Sequence, residues 1–243
     1  IALVANETLA TRSYLAIKTR RAEDAGCTLL LKRFPETVTA EELKDAALHA
    51  KADALIVQLP LPAGIDARTV CDAIPQEADA DVLSAEARSA FMRGDGDALL
   101  PPVVGALAEI LARAHIDPDG KRAVVVGTGY LVGMPSAAWL AQNGAQVMTV
   151  NQKSGGLADA LATADIIVSG TGSAGIVKPE MLKTGVVLID AGTSESGGAL
   201  AGDADPACEE KCAIFTPVPG GVGPLAVAKL FENAVILAEG GAR

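Results

Sequence analysis

Arg122-Ala-Val-Val-Val-Gly-Thr-Gly-Tyr-Leu-Val-Gly133 is the stretch whose reading decides the fold. Ala123 to Val126 is an unbroken apolar run, the pattern of a strand buried on both faces in a parallel sheet. Glycines follow at 127, 129 and 133, and Pro135 to Asn143 reads as a helix. Strand, glycine-rich turn and helix in that order form the context of a dinucleotide site. There glycine lets the main chain approach a pyrophosphate, and the helix N-terminus offers amide donors. The spacing Gly-x-Gly-x-x-x-Gly carries one residue more than the usual fingerprint. The same stretch therefore also reads as a glycine turn without a ligand.

Outward from this unit the alternation continues in both directions. Strands are expected at Ile1–Ala5, Thr28–Phe34, Ala54–Val57, Gln146–Val150, Asp165–Ser169, Val186–Ile189 and Ala213–Phe215. Helices are expected at Ser13–Ala25, from Thr39, at Ala67–Ala73, from Pro102 to about Ala114, at Leu157–Thr163 and at Leu225–Leu237, with a helical turn at Pro179–Leu182. Thr39-Ala-Glu-Glu42 has capping-box spacing, a hydroxyl followed three residues later by a carboxylate. The segment from Asp79 to Leu99 reads as less regular, with a loop at Arg93-Gly-Asp-Gly-Asp97. The pattern predicts an α/β protein with parallel sheets covered on both faces. Pro-rich Leu99–Val103 marks one boundary, and the last helix is expected to return to the first domain.

The composition narrows the classes. The chain has 243 residues, 50% of them hydrophobic, and a formal net charge of −10. That charge argues against nucleic acid and anionic membrane as partners, since both need a basic footprint. No run approaches the roughly 18 apolar residues of a membrane helix. Cys27, Cys71, Cys208 and Cys212 form no CxxC, and neither His49 nor His115 lies near the last two, so no metal site is expected. Reduced cysteines and the lack of a signal-peptide pattern point to the cytoplasm. The chain opens at Ile1 inside an expected strand, so preceding sequence is expected.

Near the other end, Thr216-Pro-Val-Pro-Gly-Gly-Val-Gly-Pro224 packs three prolines and three glycines into nine residues. Proline fixes φ and glycine bares the backbone. The stretch reads either as a tight connection or as a backbone cradle for a flat ligand. Three further groups stand out. Tyr14 and Lys18 are four apart and share a helix face. Gln58 ends a strand, where α/β folds bind ligands. Asp81, with Asp79 as the neighbouring candidate, lies in an acidic loop. Asn151-Gln-Lys153-Ser154 follows the strand after the glycine turn. An acid there would favour NAD, a basic cluster NADP; Asn151 is neutral, and Lys153 and Ser154 offer only a weak phosphate contact.

Together these stretches resemble the bifunctional methylenetetrahydrofolate dehydrogenase/cyclohydrolase family over essentially the full length. TPVPGGVGP is similar to that family's signature turn, Gln58-Leu-Pro-Leu-Pro62 to its QLPLP segment, and Gly127–Pro135 to its GRSxxVGxP turn. Val187-Leu-Ile-Asp-Ala-Gly192 with Gly202-Asp203 resembles VIDVG…GDV, and Tyr14 with Lys18 the Tyr–Lys part of SxxYxxxK. The resemblance implies a two-domain α/β protein: a folate-binding domain at 1–103 completed by 224–243, and a Rossmann-type domain at 104–223. It implies a homodimer acting on a tetrahydrofolate derivative in one-carbon metabolism, with NADP as cofactor and NAD as the alternative.

Site roles follow from the same resemblance. Lys18 takes the place of the catalytic lysine, Tyr14 lines the folate site, and Gln58 orients Lys18. Asp81 takes the place of the aspartate that binds the pterin's amino-pyrimidinone edge, a pairing suited to a carboxylate that accepts two N–H bonds. Pro217, Val218, Gly220 and Gly221 are implied to contact the substrate, with the glycines leaving the backbone bare. Gly127, Thr128, Gly129, Val132 and Gly133 are implied at the pyrophosphate, Gly170-Thr171-Gly172 under the nicotinamide ribose, Thr193 at the carboxamide, and Asn151, Lys153 and Ser154 at the ribose phosphate. The chain departs from the pattern at several points. Thr128-Gly129 stands for Arg-Ser, Asn151-Gln152-Lys153 for Cys-His-Ser, Val82-Leu83 for Gly-Phe, and Ala226 for Thr. A threonine cannot replace a guanidinium. The alternatives are a lone cyclohydrolase, an NAD enzyme, a silent folate- or dinucleotide-binding protein and, disfavoured by QLPLP and TPVPGGVGP, a shikimate-type dehydrogenase.

Overall fold

The computed structural model describes residues 1–151, 155–196 and 199–240. The chain divides into two compact units, Ile1–Pro102 with Val227–Arg243, and Val103–Ala226.

The first unit is built on three short parallel strands, β1 (Ala2–Val4), β2 (Leu31–Arg33) and β3 (Ile56–Gln58), in the order β2-β1-β3. Helix α1 (Leu9–Asp24) starts earlier than the apolar pattern predicts, because the Thr8 hydroxyl accepts the Thr11 amide and caps it. Helix α2 (Ala40–Leu48) carries the full capping box: Thr39 Oγ1 accepts the Glu42 amide, and the Glu42 carboxylate accepts the Thr39 amide. A short α3 (Ala67–Cys71) follows. The stretch read as irregular contains a helix, α4 (Ala85–Arg93), capped by Ser84 and closed by Gly94 at φ 74°. The core gathers Ala2, Val4, Leu15, Ile56, Ala80 and Leu230, and a second cluster joins Ala22, Val227 and Phe231.

The second unit opens with α5 (Pro102–Arg113) and holds five parallel strands. These are β4 (Arg122–Val126), β5 (Gln146–Val150), β6 (Ile166–Ser169), β7 (Val186–Asp190) and, after the small antiparallel hairpin β8 (Ser194–Ser196) and β9 (Ala199–Ala201), β10 (Cys212–Phe215). Helix α6 (Gly133–Gln142) joins β4 to β5, and α7 (Leu157–Ala162) joins β5 to β6. The spatial order is β10-β7-β6-β4-β5. Alternate residues feed two cores. Ala123, Val125, Ile166, Val168, Val187 and Ile189 pack on one side, and Val124, Val126, Ile167, Val186 and Leu188 on the other. Apolar residues on both faces are what make these strands read as continuous runs. The last helix, α8 (Val222–Ala238), begins inside the TPVPGGVGP stretch, with Pro224 in its first turn, where a missing amide costs no helical bond. Its first residues, Val222, Leu225 and Ala226, belong to the core of the second unit, and Val227, Leu230 and Phe231 to the cores of the first.

Candidate active site

In the first unit, α1 and the end of β3 bring two of the expected residues together. Lys18 Nζ donates to Gln58 Oε1 at 3.1 Å. The Gln58 side-chain amide donates in turn to the carbonyl of Leu59 at 2.8 Å. These two bonds fix the amide, because a flip would set its NH2 against the ammonium. Gln58 is almost fully buried, while Lys18 and Tyr14 are half-buried on α1.

Asp79 and Asp81 have different surroundings. Asp79 is fully buried, and its carboxylate accepts the amides of Leu83 at 3.1 Å and Ser84 at 2.7 Å. It is committed to shaping its own turn. Asp81 is the carboxyl that feels Lys18. Burial pushes its proton affinity above the usual carboxylate range, the Lys18 ammonium opposes that, and Asp79 adds to it. Directly after Asp81 comes Val82 at φ 55°, a left-handed conformation that a β-branched residue adopts only when its surroundings impose it.

In the second unit the strand order reverses direction at β4, whose neighbours are β5 and β6. Crevices at such switch points bind ligands at the strands' C-terminal ends. The turns after β4 and β6 meet there. Gly127 stands at φ 97°, and a Cβ on it would come within 3.0 Å of the Gly170 carbonyl oxygen. A Cβ on Gly133 would sit 2.1 Å from the Gly127 oxygen, and one on Gly170 would sit 2.3 Å from Val132 Cγ1. Backbone therefore packs on backbone, and Thr128 and Gly129 remain exposed at the turn. Helix α6 begins after Val132 with no side-chain cap. The Met134 amide bonds back to the Gly129 carbonyl at 3.1 Å, the Ser136 amide to the Val132 carbonyl at 3.0 Å, and Pro135 has no amide, so what this helix start offers an anion is chiefly the positive end of its dipole. Asn151 is exposed at the end of β5 and Thr193 is exposed after β7. Lys153 and Ser154 lie outside the described residues.

Two buried carboxylates that the sequence reading did not single out hold the surrounding loops. Asp203 accepts Ser169 Oγ at 2.6 Å, the Thr171 amide at 2.6 Å and the Ser173 amide at 2.8 Å. It thereby fixes the Gly170–Ser173 turn. Asp190 accepts the amides of Gly192 at 2.9 Å and Ala204 at 2.8 Å, and burial lifts its pKa to about 6. The strand-end aspartate in VLIDAG and the Gly202-Asp203 pair were the available signals. The Thr216 hydroxyl accepts the Asp190 amide at 2.7 Å and ties the TPVPGG turn to β7.

That turn has internal reasons for its glycines. Gly220 stands at φ 109°, and a Cβ on Gly221 would lie 2.6 Å from the Pro217 oxygen. Pro217 and Gly220 are exposed, and Val218 and Gly221 half-buried. Among the described residues no group of three or more His, Cys, Asp or Glu side chains is placed to hold a metal ion, and no helix is long and apolar enough to cross a membrane.

A lysine–amide pair coupled to a half-buried acid in one unit and a glycine-lined strand crossover in the other define a two-domain α/β enzyme of the dinucleotide-binding type. The family model for the tetrahydrofolate dehydrogenase/cyclohydrolase NAD(P)-binding domain matches residues 101–241, and the model for the same enzymes' catalytic domain matches residues 1–81. The chain belongs to the tetrahydrofolate dehydrogenase/cyclohydrolase family. It is 36% identical to the bifunctional protein FolD of Lactobacillus gasseri over 233 residues, covering 94% of this chain and 82% of that protein. It is 37% identical to FolD of an Exiguobacterium species over 237 residues, covering 96% and 84%. The crystal structure of bifunctional FolD from Campylobacter jejuni superposes with a TM-score of 0.92 at 30% identity, covering 98% of this chain and 86% of that one. The Trypanosoma brucei enzyme, complexed with NADP cofactor and inhibitor, gives 0.91 at 30% identity, covering 98% and 85%.

Proposed function

We propose that the protein oxidises 5,10-methylenetetrahydrofolate to the 5,10-methenyl form with NADP and hydrolyses the methenyl form to 10-formyltetrahydrofolate. The observation that carries this reading is the Lys18–Gln58 hydrogen bond at 3.1 Å with the Asp81 carboxyl close enough to feel the ammonium. Such a set can move protons at a folate. In the oxidation, a C–H bond of the methylene bridge breaks, its electron pair leaves as hydride, and the N5–C–N10 unit becomes a delocalised cation. The chemistry supplied by bound NADP is acceptance of that hydride.

In the hydrolysis, water attacks the methenyl carbon. Lys18, in its amine form, takes a proton from the attacking water. The remaining hydroxyl proton passes to N5 as the C–N5 bond breaks, leaving the formyl group on N10 and releasing one proton overall. Gln58 holds Lys18 through its fixed amide. Asp81 accepts N–H bonds from the pterin's amino-pyrimidinone edge, and Tyr14 lines the site from the same helix face as Lys18.

The second unit fits a dinucleotide through its bare backbone. Gly127, Thr128, Gly129, Val132 and Gly133 would hold the pyrophosphate, Gly170, Thr171 and Gly172 the nicotinamide ribose, and Thr193 the carboxamide. Asn151, Lys153 and Ser154 would take the adenosine end. The substrate role of Pro217, Val218, Gly220 and Gly221 rests on the sequence resemblance. The same resemblance supports a homodimer, and four unpaired cysteines suit a cytoplasmic setting.

One observation favours a second reading for the cofactor. Thr128 and Gly129 place no guanidinium at the glycine turn, which suits NAD. The test is an absorbance assay of the purified protein with 5,10-methylenetetrahydrofolate, run separately with NADP and NAD, alongside hydrolysis of the methenyl form by wild type and Lys18→Met. Reduction of NADP is expected, with hydrolysis lost in Lys18→Met while folate still binds. Signal with NAD alone would move the cofactor assignment, hydrolysis alone would leave a cyclohydrolase, and full turnover by Lys18→Met would remove Lys18 from the mechanism.

A further inference from the structure

Asparagine is a poor choice for the middle of an apolar helix, because its side chain competes for backbone bonds. Helix α8 nevertheless places Asn233 there, 6% exposed, in the run Asn233-Ala-Val-Ile-Leu237. Both of its amide hydrogens are spent. One goes to the carbonyl of Ala80 and the other to the carbonyl of Leu100, each at 2.9 Å. Ala80 is the residue immediately before Asp81. On its other side the same turn hangs on Asp79, through the amides of Leu83 and Ser84, and passes through Val82 at φ 55°. The turn that presents Asp81 is thus gripped from two directions, by a carboxylate within it and by an amide arriving from 153 residues away.

We infer that Asn233 is a positioning residue for the reaction, holding the Asp79–Leu83 turn so that Asp81 stays in register with Lys18. The inference rests on the proposed role of Asp81. A carboxyl whose charge state depends on a neighbouring ammonium is sensitive to small displacements, since the coupling falls with distance. The left-handed Val82 makes the turn prone to relax when a restraint is lost. The groups facing Asp81 are Lys18 from α1, Asp79 from its own turn and the buried thiol of Cys71 at the end of α3.

The experiment compares wild type with Asn233→Ala in hydrolysis of methenyltetrahydrofolate across pH, together with KM for NADP in the oxidation. The expected result is a kcat about tenfold lower, a displaced pH limb, and a KM for NADP within about twofold of wild type. If Asn233→Ala is insoluble, Asn233→Ser, whose donor is too short to reach both carbonyls, carries the same test. A variant with lower thermal stability but unmoved kcat and pH limb overturns the inference, because a merely structural role predicts that outcome. A wild-type protein that hydrolyses no methenyltetrahydrofolate sinks the functional reading itself. An active wild type with an unaltered variant sinks the positioning role alone.

Discussion

Gln58 shows how one side chain sets the chemistry of another. Its oxygen faces the Lys18 ammonium and its nitrogen faces the Leu59 carbonyl, so only an amide satisfies both. Gln58→Glu keeps the shape and changes the logic. A carboxylate 3.1 Å from Nζ would favour the protonated lysine, and its second oxygen would be forced against the Leu59 oxygen. The expected outcome is a hydrolysis rate down by about tenfold or more at neutral pH, with the pH limb moved upward. Steady-state rates across pH check this, and a variant that matches wild type at every pH would separate Gln58 from proton transfer. Helix period and strand end place Tyr14, Lys18 and Gln58, but it is the family resemblance that singles them out, since by spacing alone Lys18 reads as a surface lysine; the structure adds the bond that joins Lys18 to Gln58. The resemblance chooses Asp81 over Asp79, but the bonds that set the two carboxyls apart were not legible. Two carboxylates in Asp79-Ala-Asp81 look alike until the backbone shows which one its own amides consume.

At the scale of elements, the long Val/Ile/Leu strands declared themselves, because a strand buried on both faces has no polar residues to blur it. Helix α4 hid, since Arg93-Gly-Asp-Gly-Asp97 reads as loop and its cap, Ser84, depends on tertiary support from the Asp79 turn. The hairpin of β8 and β9 is too short for any period to register. Glycines follow the same division. The sequence treats the three in Gly127–Gly133 as equals, while packing separates them. A Cβ at 133 would lie 2.1 Å from the Gly127 oxygen and 2.7 Å from its carbonyl carbon, whereas a Cβ at 129 meets nothing closer than 3.8 Å. Gly133→Ala must displace backbone, at a cost of roughly 2–4 kcal/mol, and should also raise the KM for NADP. Gly129→Ala should fold with near-wild-type stability. Thermal melts and cofactor titrations of the pair decide it, and equal behaviour of the two variants would mean that the turn is not held by the Gly127–Gly133 contact.

The whole molecule carries a net charge of −10, and its acids do not pull stability in one direction. Asp165, bonded by Lys183 and by the Arg122 amide, is held below the ordinary range, so its contribution is lost as pH falls. Asp190 works the other way. Its folded pKa is about 6 against an ordinary 3.8, with burial as the leading cause and the bonds from Ala204 and Gly192 only partly offsetting it. The folded state therefore holds this proton more tightly than the unfolded chain does. The stabilisation is fully present below pH 3.8 and is lost as pH rises through about 6, a change on the order of 3 kcal/mol. Asp190 lies at the end of β7 and bonds to the amides of Gly192 and Ala204, so its ionisation is felt where three loops of the second unit meet. Asp190→Asn removes the titration while leaving one oxygen to accept an amide. Its melting temperature should vary less than that of wild type between about pH 4 and pH 6.5. A variant whose melting temperature follows the wild-type slope over that range would show that the charge on Asp190 is already compensated in the fold, and that the pH dependence belongs to other acids, Asp81 first among them.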